Sequence, residues 1–288
     1  MTMPPVFSGQ VVGVSTYSTT PTAFCRAVTG GSLSINSNNV VNIGVQGQRQ
    51  VLKGTQEIVL DVTCVGVDKT ILPYWFPTGV GVQVAGFPAF FVEVDDGVNG
   101  ANIILSGGQP SSITIACNGG ANGVVEYQLQ AKFTAMTSAA AGAPAAVYNS
   151  YVGHSVNHCT FSQGGNTFGV MSFTLSNDLG LELVNTMDGK AAGSQTFPTF
   201  YIPTGQRPTL SLVTTSQWAL TQFGADAWNP LNYTLALANG IVGENITFTF
   251  PGWVPSSVSM PIEATGVIGF SHEFEPGPGT NYNRVQIA

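Results

Sequence analysis

The sequence predicts an all-β chain with only minor helix, in two tandem copies of one antiparallel domain. Three observations predict it. Thirty-five glycines, abundant Thr, Ser and Val, and few helix formers at helical spacing favour strands. Several segments alternate apolar and polar residues singly, as a sheet with one wet face does. Ordered matches also recur along the chain at a drifting offset near 143 residues, too long for a solenoid repeat.

The matches run in chain order. Phe24-Cys25 before Gly30-Gly31 returns as His158-Cys159 before Gly164-Gly165, and Ser32-Leu33-Ser34-Ile35 as Ser172-Phe173-Thr174-Leu175. Val92 to Gly97 returns as Leu235 to Gly240, Asn102-Ile103 as Asn245-Ile246, and Gly123 to Tyr127 as Gly266 to Phe270. Pro110-Ser111-Ser112 returns unchanged as Pro255-Ser256-Ser257. The expected domains are residues 1–143 and 144–288, joined through the Ala/Ser/Gly run from Thr137 to Pro144.

Within the first copy, Ile58, Leu60, Val62 and Cys64 share one face of a strand. Asp68 is an N-cap residue type and opens a short helix leading into Tyr74-Trp75-Phe76. The segment from Glu126 to Phe133 sends Tyr127, Leu129, Ala131 and Phe133 inward, and Glu126, Gln128, Gln130 and Lys132 outward. The second copy repeats the order: a strand from Leu210 to Thr214, a short helix from Ser216 to Phe223, and a strand with Phe270 and Phe274 inward and Ser271, Glu273 and Glu275 outward. Each copy carries a long polar excursion, about Asn36 to Gly54 and Ser176 to Gly205, of a length usually functional or disordered in a compact β domain. Pro276-Gly277-Pro278-Gly279 reads as an extended C-terminal arm.

Composition narrows the function. Charged residues are only 8% of the chain against 43% hydrophobic, where an average domain has roughly 25% charged. Much of the surface is therefore expected to be covered by neighbours. No apolar run reaches the roughly 18 residues of a spanning helix, so no membrane insertion is expected. The first ten residues do not read as a secretory signal. The net charge of −7 divides into −2 for residues 1–145 and −5 for 146–288. No basic stripe for gripping phosphate is visible. The four cysteines lack metal-ligand spacing and read as reduced core residues. Asp95-Asp96-Gly97 offers paired carboxylates, but the second copy has Ala238-Asn239-Gly240 there, keeping the turn and losing the acids. His154, His158 and His272 form no metal motif, and no nucleophile elbow or P-loop occurs. The reading is a protein that is not an enzyme and needs no cofactor.

Element order then resembles a known family. Leu33-Ser34-Ile35 leads into Asn38 to Gly44, a hairpin excursion, the Gly54 to Cys64 strand, the Asp68 to Phe76 helix and a late strand pair. Ser172 to Leu183, Gly205 to Thr214 and Ser216 to Phe223 repeat that order. This is similar to the tail tube proteins of long-tailed bacteriophages, over nearly all of both copies. The likeness rests on element order and turn residues rather than a diagnostic signature, and the duplication departs from the many members with one domain per chain. It implies tail-tube-like β-sandwich domains, each with a flanking helix and a long hairpin loop. It implies six domains per ring, hence a homotrimer imitating a hexamer, with rings stacking through the long loop and terminal arm. Inter-ring candidates are Asn42, Gln46, Arg49, Asp188, Lys190 and Ser194. Channel-facing candidates are Asp61, Glu126, Gln128, Gln130, Ser271, Glu273 and Glu275, although alternation equally describes an ordinary solvated face. DNA would pass without specific binding along an acidic wall. Expected partners are other copies of the chain, the tape measure protein, the tail terminator and tail tip proteins. The expected location is the virion tail, after assembly in the host cytoplasm. The alternatives are a distal tail or baseplate hub ring, and a carbohydrate-binding or capsid-decorating β-sandwich using Trp75, Trp218, Trp228 or Trp253.

Overall fold

In the computed structural model, strands account for nearly all regular structure. Residues 10–16, 22–23, 25–37, 40–42, 50–52, 56–76, 86–95, 101–118, 123–138, 153–184, 200–214, 230–259, 269–277 and 285–288 are described. The first half holds β1 (Gln10–Thr16), β2 (Thr22–Ala23), β3 (Cys25–Ser37), β4 (Val40–Asn42), β5 (Gln50–Leu52), β6 (Gln56–Val67), β7 (Phe90–Asp95), β8 (Ala101–Ser106), β9 (Gln109–Asn118), β10 (Val125–Phe133) and β11 (Ala135–Ser138). The second holds β12 (Cys159–Gln163), β13 (Asn166–Asp178), β14 (Leu181–Val184), β15 (Phe200–Pro203), β16 (Thr209–Thr214), β17 (Leu231–Leu237), β18 (Ile246–Ser259), β19 (Phe270–Pro276) and β20 (Gln286–Ile287).

The alternation seen in the sequence sets the register. Ile58, Leu60, Val62 and Cys64 of β6 are buried and lie opposite Phe133, Ala131, Leu129 and Tyr127 of β10. Across β10, β9 contributes Ile113, Ile115 and Cys117 to the same buried face. In the second half the ladder closes: β12-β17-β18-β19-β16-β13 returns to β12, making a six-stranded barrel. Closure removes free edges. Phe161, Tyr233 and Phe274 pack inside it, with Phe161 stacked on Tyr233 at 5.6 Å and Tyr233 4.9 Å from Phe274.

The two halves follow one plan. The order β3-β6-β10-β9 matches β13-β16-β19-β18. Bulges coincide as well: Thr29 is skipped in the β3–β6 ladder and Met171 in β13–β16. Ser111 is skipped in β9–β10 and Ser256 in β18–β19. Bulges re-aim a strand, so their recurrence fixes which residues correspond. Pro110 corresponds to Pro255, as the sequence match has it. Leu33, opposite Leu60, corresponds to Leu175, opposite Leu210, rather than to Phe173. Cys159 opens β12, whose counterpart is β1, so Cys25 at the start of β3 is not its equivalent. The excursions are the hairpins β4–β5 and β14–β15, enclosing residues 43–49 and 185–199.

The halves are also stitched together. β13 pairs with β9 over residues 172–178, so the sheet crosses between them without a break. Val125 N donates to His154 O at 2.9 Å and Val156 N to Gly123 O at 2.7 Å. One cluster of buried residues contains members of both halves, with Phe76 6.2 Å from Phe248 across the junction. The helix expected from Asp68 is a single 3-10 turn, Leu72–Trp75. Asp68 accepts from Thr70 N at 2.9 Å, which turns the chain before that helix, and Pro73 follows within it. Trp75 Nε1 donates to Gln130 O at 3.0 Å, and Asn177 Nδ2 donates to Trp75 O at 2.7 Å, tying this turn to both halves.

Three other sequence expectations meet the structure here. The linker's first two residues, Thr137 and Ser138, belong to β11, whereas 139–152, the helix expected at Ser216 to Phe223, Trp218 and Trp228 lie outside the described residues. Of the expected C-terminal arm, Pro276 ends β19 and Gly277 N donates to Gly252 O at 3.0 Å, while Pro278 and Gly279 lie outside the described residues. Further on, Ala288 N donates to Thr247 O at 3.0 Å and β20 pairs with β18. The chain returns to its own sheet because Val285 finds a buried site there.

Candidate functional site: a polar sheet face shared by both halves

The outward residues of eight strands form one uninterrupted face. One row crosses it as Ser32, Asp61, Gln130, Ser112 and Asp178. The next runs Thr63, Gln128, Thr114, Ser176 and Thr209. A third runs Glu126, Ala116, Thr174, Ser211, Glu273 and Ser257. Seven strand steps of about 4.8 Å make this face roughly 34 Å wide. It exists because seven of the eight strands bury apolar residues on the opposite side, β3 alone leaving Leu33 half-buried and Ile35 exposed there.

Six of the seven proposed channel residues fall on these rows or beside them: Asp61, Glu126, Gln128 and Gln130 from the first half, Ser271 and Glu273 from the second. Glu275 is exposed on the same side of β19, opposite Val254. The sequence reading missed its centre, Ser112, Thr114, Thr174, Ser176 and Asp178. The signal was present in the alternation of Ile113, Ile115 and Cys117, and of Phe173 and Leu175. The pairing of β9 with β13 is what brings these residues between the two predicted patches.

Carboxylates dominate the electrostatics of the face. Asp61, Glu126, Asp178 and Glu273 lie on it, whereas Lys132 at its margin meets Glu57 at 2.6 Å. Small hydroxyls link neighbours: Ser176 Oγ lies 2.8 Å from Thr209 Oγ1, and Ser257 Oγ donates to Glu273 Oε2 at 3.0 Å. A half-open cleft of about 280 Å³ marks the seam, lined by Ala116, Asn118, Glu126, Ser172 and Thr174 among others. At one margin the β14–β15 hairpin approaches the first half, and buried Tyr201 lies 6.0 Å from Lys132 Nζ. Burial pushes the Tyr201 phenol up.

The remaining polar candidates have structural surroundings. Cys64, Cys117 and Cys159 are buried free thiols, and burial pushes Cys159 up to about 12. His154 is buried with Nδ1 3.3 Å from Tyr127 Oη and Nε2 3.1 Å from Glu244 O. Trp75 and Trp253 are core residues. Asn239 Oδ1 accepts from Ile241 N at 3.0 Å, the turn expected of Ala238-Asn239-Gly240. Among the described residues no group of three His, Cys, Asp or Glu side chains could hold a metal ion. Of the inter-ring candidates, Asn42 ends β4 opposite Gln50, while Gln46, Arg49, Asp188, Lys190 and Ser194 lie outside the described residues.

Two strands leave open edges among the described residues. β3 pairs with β6 on one side, and its residues 30–37 have no ladder on the other. β18 pairs with β19 over its second half, and its residues 255–259 have no ladder opposite, because β17 reaches only Trp253. A scan against protein-family models and a search of curated proteins both return no match.

Proposed function

We propose that this chain is a structural subunit of a phage tail tube, forming stacked trimeric rings whose six half-chains surround a conduit for DNA ejection. The observation that carries this reading is the β9–β13 ladder, which joins two halves of like plan edge to edge and in register. Such a joint is heterologous: each half presents one edge and accepts another, the kind of contact that repeats into a ring when the rotation closes. The polar face fits a conduit wall. Hydroxyl, amide and carboxylate groups hold water and repel phosphate, whereas a basic wall would bind duplex through counterion release. The sparse charge of the chain fits a surface largely covered by other copies.

Electron microscopy of the assembled protein, averaged down the particle axis, tests the reading. The expected image is a stack of threefold rings with an open axial channel, present in many copies per tail. A protein that remains monomeric at high concentration and forms no ring in the particle would overturn it. A single ring confined to the tail tip would reassign the chain to the tip.

A further inference from the structure

The joint already inside the chain specifies the joint between chains. In the first half, β9 has β10 on one side and the second half's β13 on the other. Its counterpart β18 has β19 on one side, and on the other, over residues 255–259, no strand among those described. Correspondingly, β13 is paired with β9, while its counterpart β3 has, over residues 30–37, no ladder on that side among the described residues. Among the described residues each chain thus displays one donor edge and one acceptor edge of the type it has joined internally.

We propose that a second copy of this chain lays the edge of its β3 antiparallel along β18, repeating the β9–β13 ladder between molecules. The bulges set the register. Thr29 corresponds to Met171 and Ser111 to Ser256. The internal pairs Ser176↔Thr114, Asn177↔Ile113 and Asp178↔Ser112 therefore translate into Ser34↔Ser259, Ile35↔Val258 and Asn36↔Ser257 across the interface. The internal bond from Leu179 N to Ser111 O, 2.9 Å, translates into Ser37 N donating to Ser256 O. A residue out of place supports the same pairing: Ile35 is a large apolar side chain left 45% exposed, whereas its counterpart Asn177, opposite Ile113 of β9 and donating to Trp75 O, is 1% exposed. Docking of a neighbour's edge would place Ile35 opposite half-buried Val258, as Asn177 lies opposite Ile113 of β9. The hairpins follow the same rule. β14–β15 extends from β13 towards the first half's Lys132, so β4–β5 extends from β3 towards the neighbour's Glu275, the counterpart of Lys132 in the β18–β19 ladder.

This inference rests on the ring-forming part of the proposed function and adds the edges and the register. Ser34→Cys combined with Ser259→Cys tests it in the full-length protein. Both positions lie on the outer face, and the expected pair falls within the Cα separation a disulfide spans. Oxidation is expected to link chain to chain on a non-reducing gel, with neither single variant nor the one-residue-shifted pair Ser34→Cys with Val258→Cys doing so. Ile35→Asp is expected to weaken assembly at least roughly tenfold while leaving the circular dichroism spectrum unchanged, because it places a carboxylate inside the joint. Rings visible by microscopy without the S34C–S259C link, or with assembly unaffected by I35D, would overturn this register and leave the ring reading standing. A monomer under all conditions would overturn both.

Discussion

His272 is where a single side chain works against its surroundings. It sits fully buried on β19 opposite Leu212, in the ladder position that Leu129 fills opposite Val62 in the first half. Its Nε2 lies 3.2 Å from Thr214 Oγ1, but Nδ1 has no hydrogen-bond partner among the described residues. Burial lowers its pKa from 6.5 to about 4. The unfolded imidazole therefore takes up a proton that the folded one refuses. Stability is intact above pH 6.5 and falls as the pH drops from there towards 4, by about 2–3 kcal/mol from this group. Burial lowers His154 as well, adding a contribution of the same sign. His272→Leu is expected to flatten that part of the acid slope and to stabilise the neutral protein by about 1 kcal/mol, since it removes a buried unsatisfied group. Urea unfolding at pH 7.5 and 4.5 checks both, and an equal acid loss in wild type and variant would refute the assignment.

Among the elements, the turn at Gly107 shows most plainly how local sequence shapes the sheet. Its φ of +64° has a counterpart at Gly252, φ +71°. Both punctuate the passage from the part of the strand facing β7 or β17 to the part facing β10 or β19. A Cβ at Gly107 would also collide with Thr134 Oγ1. Gly107→Ala is expected to cost about 1–3 kcal/mol by chemical denaturation. The faces of β6, β10 and β19 were legible because alternation reports them directly, from Ile58 to Cys64 and from Glu126 to Phe133. Correspondence between the halves was legible where a rare string recurs, as at Pro110 and Pro255. It slipped by two at Leu33 because a two-residue shift leaves every side chain on its own face, and only the bulges at Thr29 and Met171 reveal it. The match of Cys25 with Cys159 failed for another reason: the two residues open strands of different rank. Barrel closure was not legible either, since it depends on β12 meeting β17 across more than sixty intervening residues, and periodicity carries no information about partners.

At the scale of the molecule, the halves share a sheet and a buried cluster. They are expected to melt in one calorimetric transition whose van't Hoff and calorimetric enthalpies agree. Two resolved transitions would show that the shared sheet does not couple them. The polar face makes a second prediction. Glu126→Lys with Glu273→Lys, one substitution from each half, should make assembled protein retain duplex DNA at low salt, where the wild type does not. Each new phosphate contact should steepen the salt dependence by a slope of about 0.9. Equal retention by both proteins would count against the face as a conduit wall. The seven-residue register of the seam also has a mechanical meaning. Its bonded length equals that of β6 with β10 inside the first half. Tension along the strands must shear all of those bonds together, so the junction between the halves is no softer than the material on either side. Strain imposed on the chain would instead find the two-residue ladder of β20, and peel the C-terminus before the seam gives way.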